Sequence, residues 1–200
     1  MEQQSSFPRE LSAARPVQSP SCGEGPLYHR IYSIDFASDE LASARAMRRL
    51  KSYPNEFSPQ WIATFKKTCG LEHRLEKGDE FEVKLSSPWQ APVRVSDVKP
   101  DSFSFVTLEG HLEAGRIEFR VLPLDAGRYR FEIESVARSK DKIVDFLYDK
   151  APICRFAQAL MWEKFCQAFA ECAKSRGTEA GEVRILTERR TEDTGKWESI

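Results

Sequence analysis

A histidine and a carboxylate stand two residues apart in the hexapeptide GHLEAG, residues 110–115. Imidazole titrates near neutral pH and a nearby carboxylate can share its proton, so His111 and Glu113 are candidates for a general acid/base pair. A second interpretation is structural. Gly110 and Gly115 would occupy positive-φ turn positions, and the two side chains would hydrogen-bond the loop's own backbone. The spacing leaves both interpretations open.

Other signatures of catalysis or metal binding are missing from the sequence. It contains no glycine-rich phosphate loop, no dinucleotide fingerprint, no metalloprotease helix and no Gly-x-Ser-x-Gly elbow. Its five cysteines include no Cys-x-x-Cys pair, and none of its three histidines has zinc-ligand spacing to a cysteine. We therefore predict reduced thiols, no metal and no cofactor.

Composition indicates a globular protein with polar ends. The chain has 200 residues, 40% of them hydrophobic, and a net charge of −1, which gives no basic field for nucleic acid. No apolar run approaches the roughly 20 residues that span a bilayer. We predict a flexible arm over residues 1–26, one domain over 27–176 and a charged tail over 177–200 that adds an edge strand or stays disordered. The arm has no secretory h-region, so we predict a cytoplasmic protein, with organelle targeting by the arm as the alternative.

The elements that must position His111 begin with a strand over Tyr28–Phe36, whose residues alternate in the manner of a sheet. Ser38 is the predicted N-cap of a helix that ends near Leu50. The Ser58-Pro59 pair predicts a second helix with Pro at its first position, and Gly70 is its predicted stop.

From residue 79 onward the hydrophobic period changes from 3.6 to 2. Five alternating segments predict strands with one buried and one wetted face, around residues 81–85, 93–96, 103–107, 117–121 and 129–134. A long helix follows, beginning between residues 141 and 152 and ending near 176, with a wide apolar stripe. The predicted fold class is α+β: a helix-grip-like curved antiparallel sheet of about six strands, two short helices and a long C-terminal helix.

Strand parity assigns side chains to the concave wall of such a sheet. The candidate ligand-binding residues are those of the inner wall and its rim: Phe105, Thr107, Glu109, His111, Phe119, Phe131, Ile133, Leu160 and Phe165. The alternating charges of residues 116–120 and 130–134 predict cross-strand ion pairs on the wetted face. A polar inner wall is the alternative if that face is concave. Trp162 lies off the main stripe of the helix and could meet a loop or a partner protein.

The segment Thr107–Gly115, followed by Phe119, by Arg130-Phe131-Glu132-Ile133 and by the long helix, resembles the domain of unknown function 1990 family. The family pattern is a strand ending in a Gly-His-x-Glu-x-Gly turn, then a Phe-Glu-Ile strand and an amphipathic helix. Ala137-Arg138-Ser139 stands where the pattern has Phe-Ser-Arg or Phe-Ser-Lys. The resemblance implies a helix-grip fold similar to START domains and birch-pollen allergens, and it implies no established activity.

Three functional hypotheses follow from this sequence. In the first, the domain binds a small hydrophobic or amphipathic molecule between the sheet and the C-terminal helix. In the second, an enzyme uses the same cavity with His111 and Glu113 as acid/base groups. In the third, side chains fill the interior, and the charged tail or Trp162 binds a protein partner.

Overall fold

The computed structural model describes residues 6–7, 15–85, 90–125, 127–141, 152–191 and 195–200. Its strands are β1 (Ser6–Phe7), β2 (Glu24–Ala37), β3 (Ala63–Leu71), β4 (Glu80–Leu85), β5 (Gln90–Val98), β6 (Ser102–Thr107), β7 (Glu113–Pro123), β8 (Arg128–Ser139), β9 (Arg184–Arg190) and β10 (Trp197–Ser199). Its α-helices are α1 (Glu40–Ser52) and α2 (Pro152–Ala173), and short 3-10 turns cover Pro20–Cys22 and Pro54–Glu56.

The strands form a large antiparallel sheet in the order β1-β3-β4-β5-β6-β7-β8-β2-β9-β10. Within the described residues, β2 to β10 make nine strands, and the two-residue β1 pairs with the β3 edge. The prediction of an α+β fold is confirmed, but the expected count of about six strands is wrong. The extra strands come from the segment predicted as a second helix and from the C-terminal tail.

The sheet curves around α2. Register shifts interrupt the pairing of β2 with β8, of β3 with β4 and of β5 with β6. An extra residue at such a bulge bends the strand and increases its twist. The 22 residues of α2 lie across the concave face of the resulting sheet. No helix in the described ranges is long and apolar enough to cross a membrane.

The predicted second helix is wrong, because Ala63–Leu71 is the strand β3. Pro59 begins only one helical turn, in which its carbonyl accepts hydrogen bonds from the N–H groups of Ile62 and Ala63 at 2.7 and 3.0 Å. Six register pairs with β4 then outweigh the weak helical pattern. Gly70 is not a helix stop but a strand glycine with φ of 109°, and a Cβ there would lie 2.2 Å from a carboxylate oxygen of Asp79.

The first helix begins one residue later than predicted. Asp39 is its N-cap, and its carboxylate accepts the N–H of Ala42 at 2.7 Å. Ser38 instead donates its hydroxyl to the carbonyl of Ala173 at 2.6 Å, which joins the start of α1 to the end of α2.

Both terminal segments contact the sheet where the structure describes them. Gln18 donates its backbone N–H to the carbonyl of Thr107 at 2.8 Å. Of the two alternatives for the C-terminal tail, the structure shows the edge strand. The strand β9 pairs with β2 over seven residues, and β10 pairs with β9.

Candidate functional site

One end of the interior between the sheet and α2 consists of packed aromatic rings. Phe131 and Phe169 stack with centroids 3.9 Å apart, and Phe103 and Phe119 stack at 4.7 Å. We call this region the aromatic end, and its rings are those of Phe36, Phe103, Phe105, Phe119, Phe131, Phe165 and Phe169. These side chains are almost entirely buried against one another.

The aromatic end includes most of the predicted ligand contacts. Phe105, Phe119, Phe131, Ile133 and Phe165 are all buried in the core, and Leu160 is partly buried beside it. Their predicted inward orientation is therefore observed. Because the rings occupy the space between sheet and helix there, these residues act first as packing.

Trp162 belongs to the same core. Its ring lies 5.7 Å from those of both Phe119 and Phe165, and only 8% of the residue is exposed. The expectation that Trp162 could face a partner protein is therefore wrong. The helix is apolar around more of its circumference than the predicted stripe, because the curved sheet covers more than one of its faces.

The remaining predicted contacts lie at the end of β6 and in the loop that joins it to β7. Thr107 accepts the N–H of Gly115 at 2.9 Å and donates its hydroxyl to the carbonyl of Gln18 at 2.8 Å. Glu109 is exposed in the turn, and its N–H donates to the carbonyl of Pro16 at 2.9 Å. Both residues therefore tie the N-terminal segment to the loop.

The imidazole of His111 binds its own loop. Its Nδ1 accepts the backbone N–H of Glu113 at 2.8 Å, which is the geometry of the structural interpretation. Burial lowers the pKa of His111, against a smaller opposing effect of Glu113. A protonated ring could not accept this bond, so the contact also favours the neutral form.

The two glycines that flank this loop have different roles. Gly110 has φ of 98°, the turn conformation predicted for it. Gly115 does not take the predicted turn role, since a Cβ there would lie 2.2 Å from the carbonyl oxygen of Val136. It allows close approach of β7 and β8 instead.

The alternating charges of β7 and β8 lie on the convex face, so the alternative of a charged inner wall is wrong. Arg120 contacts Glu134 at 2.7 Å and Glu118 at 3.5 Å, and it also hydrogen-bonds Glu132. Arg130 pairs with Asp35 at 2.7 Å. The contacts of Arg120 with Glu132 and Glu134 are the predicted cross-strand pairs of a wetted surface. The contact with Glu118 lies within β7, and the pair of Arg130 with Asp35 joins β8 to β2.

A second group of side chains, which we call the polar end, faces the interior where α2 approaches β7. It consists of Tyr28, Arg30, Tyr32, Glu113 and Gln158. Arg30 is only 8% exposed, and its Nη1 lies 3.4 Å from a carboxylate oxygen of Glu113. The other oxygen of Glu113 accepts from Nε2 of Gln158, also at 3.4 Å. The Arg30 guanidinium carbon lies 4.6 Å from the centroid of the Tyr28 ring.

These contacts leave hydrogen-bonding capacity unused. A guanidinium carries five N–H donors and a carboxylate about four lone-pair positions. A close bidentate pair would have N–O distances of about 2.7–2.9 Å. The single 3.4 Å contact between Arg30 and Glu113 is longer than that. Arg30 could therefore donate to a further polar partner, and Glu113 could accept from one.

Tyr32 contributes a hydroxyl to the polar end. Only 3% of the residue is exposed, and its hydroxyl is not one of the buried polar atoms that lack a partner in the described residues. Burial raises the pKa of Tyr32 to about 12, a shift that Arg30 opposes and Glu113 reinforces. The hydroxyl is therefore protonated at neutral pH and can donate a hydrogen bond.

Sequence reasoning missed this constellation. The alternation of Tyr28, Arg30 and Tyr32 places the three on one face of β2, which was the available signal. In the sequence, Glu113 stands two residues from His111, and nothing local connects it with Arg30. The structure instead directs the Glu113 carboxylate toward β2 and α2, away from the role of an imidazole partner.

The described residues contain no group of three or more side chains arranged to hold a metal ion. Cys22, Cys69, Cys166 and Cys172 are free thiols, and the side chain of Cys154 lies outside the described residues. Burial raises the pKa of Cys166, so this thiol stays protonated beside Tyr32.

A curved antiparallel sheet closed over a long C-terminal helix, with polar side chains at one end of its interior, defines an α+β protein of the helix-grip type. The chain belongs to the family described as a domain of unknown function (DUF1990), whose model matches residues 24–168. No protein with a curated description matches the chain.

Solved structures match the chain at low sequence identity. The di-domain ARO/CYC protein StfQ from the steffimycin biosynthetic pathway matches with a TM-score of 0.53 and 12% identity, over 74% of this chain and 51% of that one. A hypothetical protein from Helicobacter pylori matches with a TM-score of 0.50 and 10% identity, over 87% and 99%. Norcoclaurine synthase from Thalictrum flavum, in complex with dopamine and hydroxybenzaldehyde, has a TM-score of 0.49 and 12% identity, over 74% and 91%.

Proposed function

We propose that this domain binds a small amphipathic molecule between the sheet and α2, with the ligand's polar group at the polar end. The observation that carries the proposal is the convergence of Tyr32, Arg30 and Glu113 on one part of the interior, where Arg30 and Glu113 meet in a single 3.4 Å contact. A ligand atom that adds hydrogen bonds to these groups would be stabilised there. An apolar wall with a few convergent polar groups is the usual composition of a small-molecule site.

The polar end favours a ligand oxygen. Tyr32 and Arg30 both offer donors, so a hydroxyl, carbonyl or carboxylate oxygen would satisfy them. Glu113 offers acceptors and would favour a hydroxyl among these. Ile117 and Ser135 pair across β7 and β8 on the concave face between the two ends, and they would border the ligand's less polar part.

The proposal moves the ligand away from most of the predicted contacts. Phe119, Phe131 and Phe165 would form the floor of the site, and the polar end would recognise the head group. His111 would hold the loop that carries Glu113 and would not meet the ligand. Because Nδ1 of His111 already accepts a loop N–H, only its Nε2 would be available for acid/base chemistry.

The first test is native mass spectrometry of the purified protein, followed by isothermal titration with 8-anilinonaphthalene-1-sulfonate as an amphipathic probe. We expect a retained small molecule or stoichiometric probe binding. Tyr32→Phe removes one hydrogen bond to the ligand, which should weaken binding about three- to tenfold. Tyr129→Phe is the matched control, because Tyr129 faces the same side of the sheet beside Phe36, at the aromatic end.

The outcomes separate clearly. Weaker binding by Tyr32→Phe together with unchanged binding by Tyr129→Phe supports the polar end as the site. Equal effects of both substitutions would place the probe elsewhere. A protein that retains nothing and binds no probe would leave the third hypothesis, a filled interior.

A further inference from the structure

The convex face carries a histidine between two carboxylates. Nε2 of His29 lies 2.9 Å from a carboxylate oxygen of Glu134, and Nδ1 lies 2.9 Å from one of Glu188. His29 is on β2, Glu134 on β8 and Glu188 on β9. In the register of the sheet, His29 pairs with Glu188 directly and with Val136 on the other side. One imidazole therefore connects three neighbouring strands.

This arrangement requires a charged ring. A neutral imidazole has one N–H donor and one acceptor nitrogen, so it can donate to only one carboxylate. The other nitrogen would then face a carboxylate oxygen, acceptor to acceptor. Only the imidazolium donates to both, and two charge-assisted bonds of 2.9 Å fit that form.

The surrounding charges are consistent with this form. Burial works to raise the pKa of Glu134, but the hydrogen bond from His29 and the contact with Arg120 on β7, at 2.7 Å, outweigh it, and the net shift is downward. The ring of Trp197 on β10 lies 5.8 Å from the His29 ring. The guanidinium carbon of Arg190 lies 5.1 Å from the centroid of the Trp197 ring. Burial works to lower the pKa of His29, but the bonds to Glu188 and Glu134 outweigh it, and the net shift is upward.

We propose that His29 is a pH-sensitive clamp that fastens the C-terminal strands β9 and β10 to the edge of the sheet at β2. The strand β9 has little apolar attachment of its own, since Ile185 is 48% and Leu186 is 43% exposed. Its backbone pairing with β2 therefore depends more on such side-chain contacts than the pairing of a central strand does.

The direction of the pH effect follows from the raised pKa. The stabilisation is fully present below the ordinary histidine pKa of about 6.5, as long as the two glutamates remain ionised. It is lost as the pH rises through the higher pKa of His29 in the folded protein. The clamp is thus closed in mildly acidic solution and opens toward alkaline pH.

Hydrogen exchange of the full chain tests the clamp. The readout is the protection factor of β9 amides, corrected for the intrinsic pH dependence of exchange, between pH 6 and pH 9. In the wild type we expect β9 protection to fall about three- to tenfold over this range relative to β7 and β8. His29→Gln and Glu188→Gln should begin with lower protection at pH 6 and show no such fall.

His73→Gln is the matched control, because His73 is an exposed histidine in the turn between β3 and β4. It should behave like the wild type. The ring ¹⁵N shifts of His29 add an independent measurement, and both nitrogens should be protonated at pH 6. A neutral ring at that pH, or β9 protection that is independent of pH in the wild type, would overturn the proposal.

Discussion

The two ends of the interior are built on the same strands with opposite chemistry. At the aromatic end, β7 and β8 contribute Phe119 and Phe131, and stacked rings exclude everything else. Three inward positions away along β7, Glu113 meets a buried arginine through a single 3.4 Å contact. The difference indicates that apolar packing is concentrated at the aromatic end, while the polar end is where we propose that a ligand binds.

Removal of a ring at the aromatic end should have the largest effect on stability. Phe131 is fully buried and stacks on Phe169 at 3.9 Å. Phe131→Ala removes this contact and leaves a cavity, so we expect the free energy of unfolding to fall by about 3–5 kcal/mol. Urea denaturation measures the change, and Leu124→Ala, at a residue that is 40% exposed, is the control. A loss below about 1 kcal/mol would contradict the described packing.

At the polar end, loss of one partner of the partly buried ion pair should be the costly change. Arg30→Met leaves the partly buried Glu113 without its cation, and we expect a loss of about 2 kcal/mol. The double variant Arg30→Met/Glu113→Gln removes both charges and should regain most of that loss.

Urea unfolding of the wild type, both single variants and the double variant gives the free energies of unfolding for a double-mutant cycle. If the effects of Arg30→Met and Glu113→Gln simply add, the two side chains do not interact and the polar end is not one unit. The double variant should also bind the sulfonate probe more weakly than the wild type, although its stability is restored. That result would separate binding from stability at the polar end.

The aromatic end was largely predictable from the sequence, whereas the polar end was not. The alternation around Phe119 and Phe131 is a local pattern, and its period of two determines which face is buried. The pairing of Arg30 with Glu113 depends on the register of β2 with β8 and of β8 with β7, over a separation of 83 residues. No local pattern contains that register.

The prediction of a second helix failed for a related reason. Pro59 and the apolar residues after it fit a short helix as well as a strand, and the decision came from pairing with β4. The sequence does not decide between an edge strand and a disordered tail for β9, because its residues are mostly exposed and show no buried face. Elements that depend on non-local partners are the ones that local patterns predict poorly.

The two partly buried histidines should respond to pH with opposite signs. The pKa of His111 is lowered, so its contribution is present above pH of about 6.5 and is lost as the pH falls. The pKa of His29 is raised, so its contribution is lost as the pH rises. The Nδ1 bond of His111 is worth about 1 kcal/mol, so the expected effect is smaller than those at the interior.

Unfolding experiments at pH 5.5 and pH 7.5 can separate the two histidines. In His29→Gln only the His111 contribution remains, so acid should destabilise this variant more than the wild type. In His111→Gln only the His29 contribution remains, so acid should destabilise this variant less than the wild type. The same pH response in both variants would mean that other groups dominate, and His73→Gln shows the effect of removing an exposed histidine.

The substitution with the smallest predicted effect on stability, Tyr32→Phe, best distinguishes the role of the polar end from that of the aromatic end. No hydrogen bond of the Tyr32 hydroxyl contributes to the causes of its pKa shift, so we expect Tyr32→Phe to change the free energy of unfolding by less than about 0.5 kcal/mol. The measurement is urea denaturation in the absence of ligand, with Tyr129→Phe as control. A clear loss of stability would show that the hydroxyl has a structural partner. Unchanged stability combined with weaker probe binding would show that the hydroxyl acts on the ligand and not on the fold.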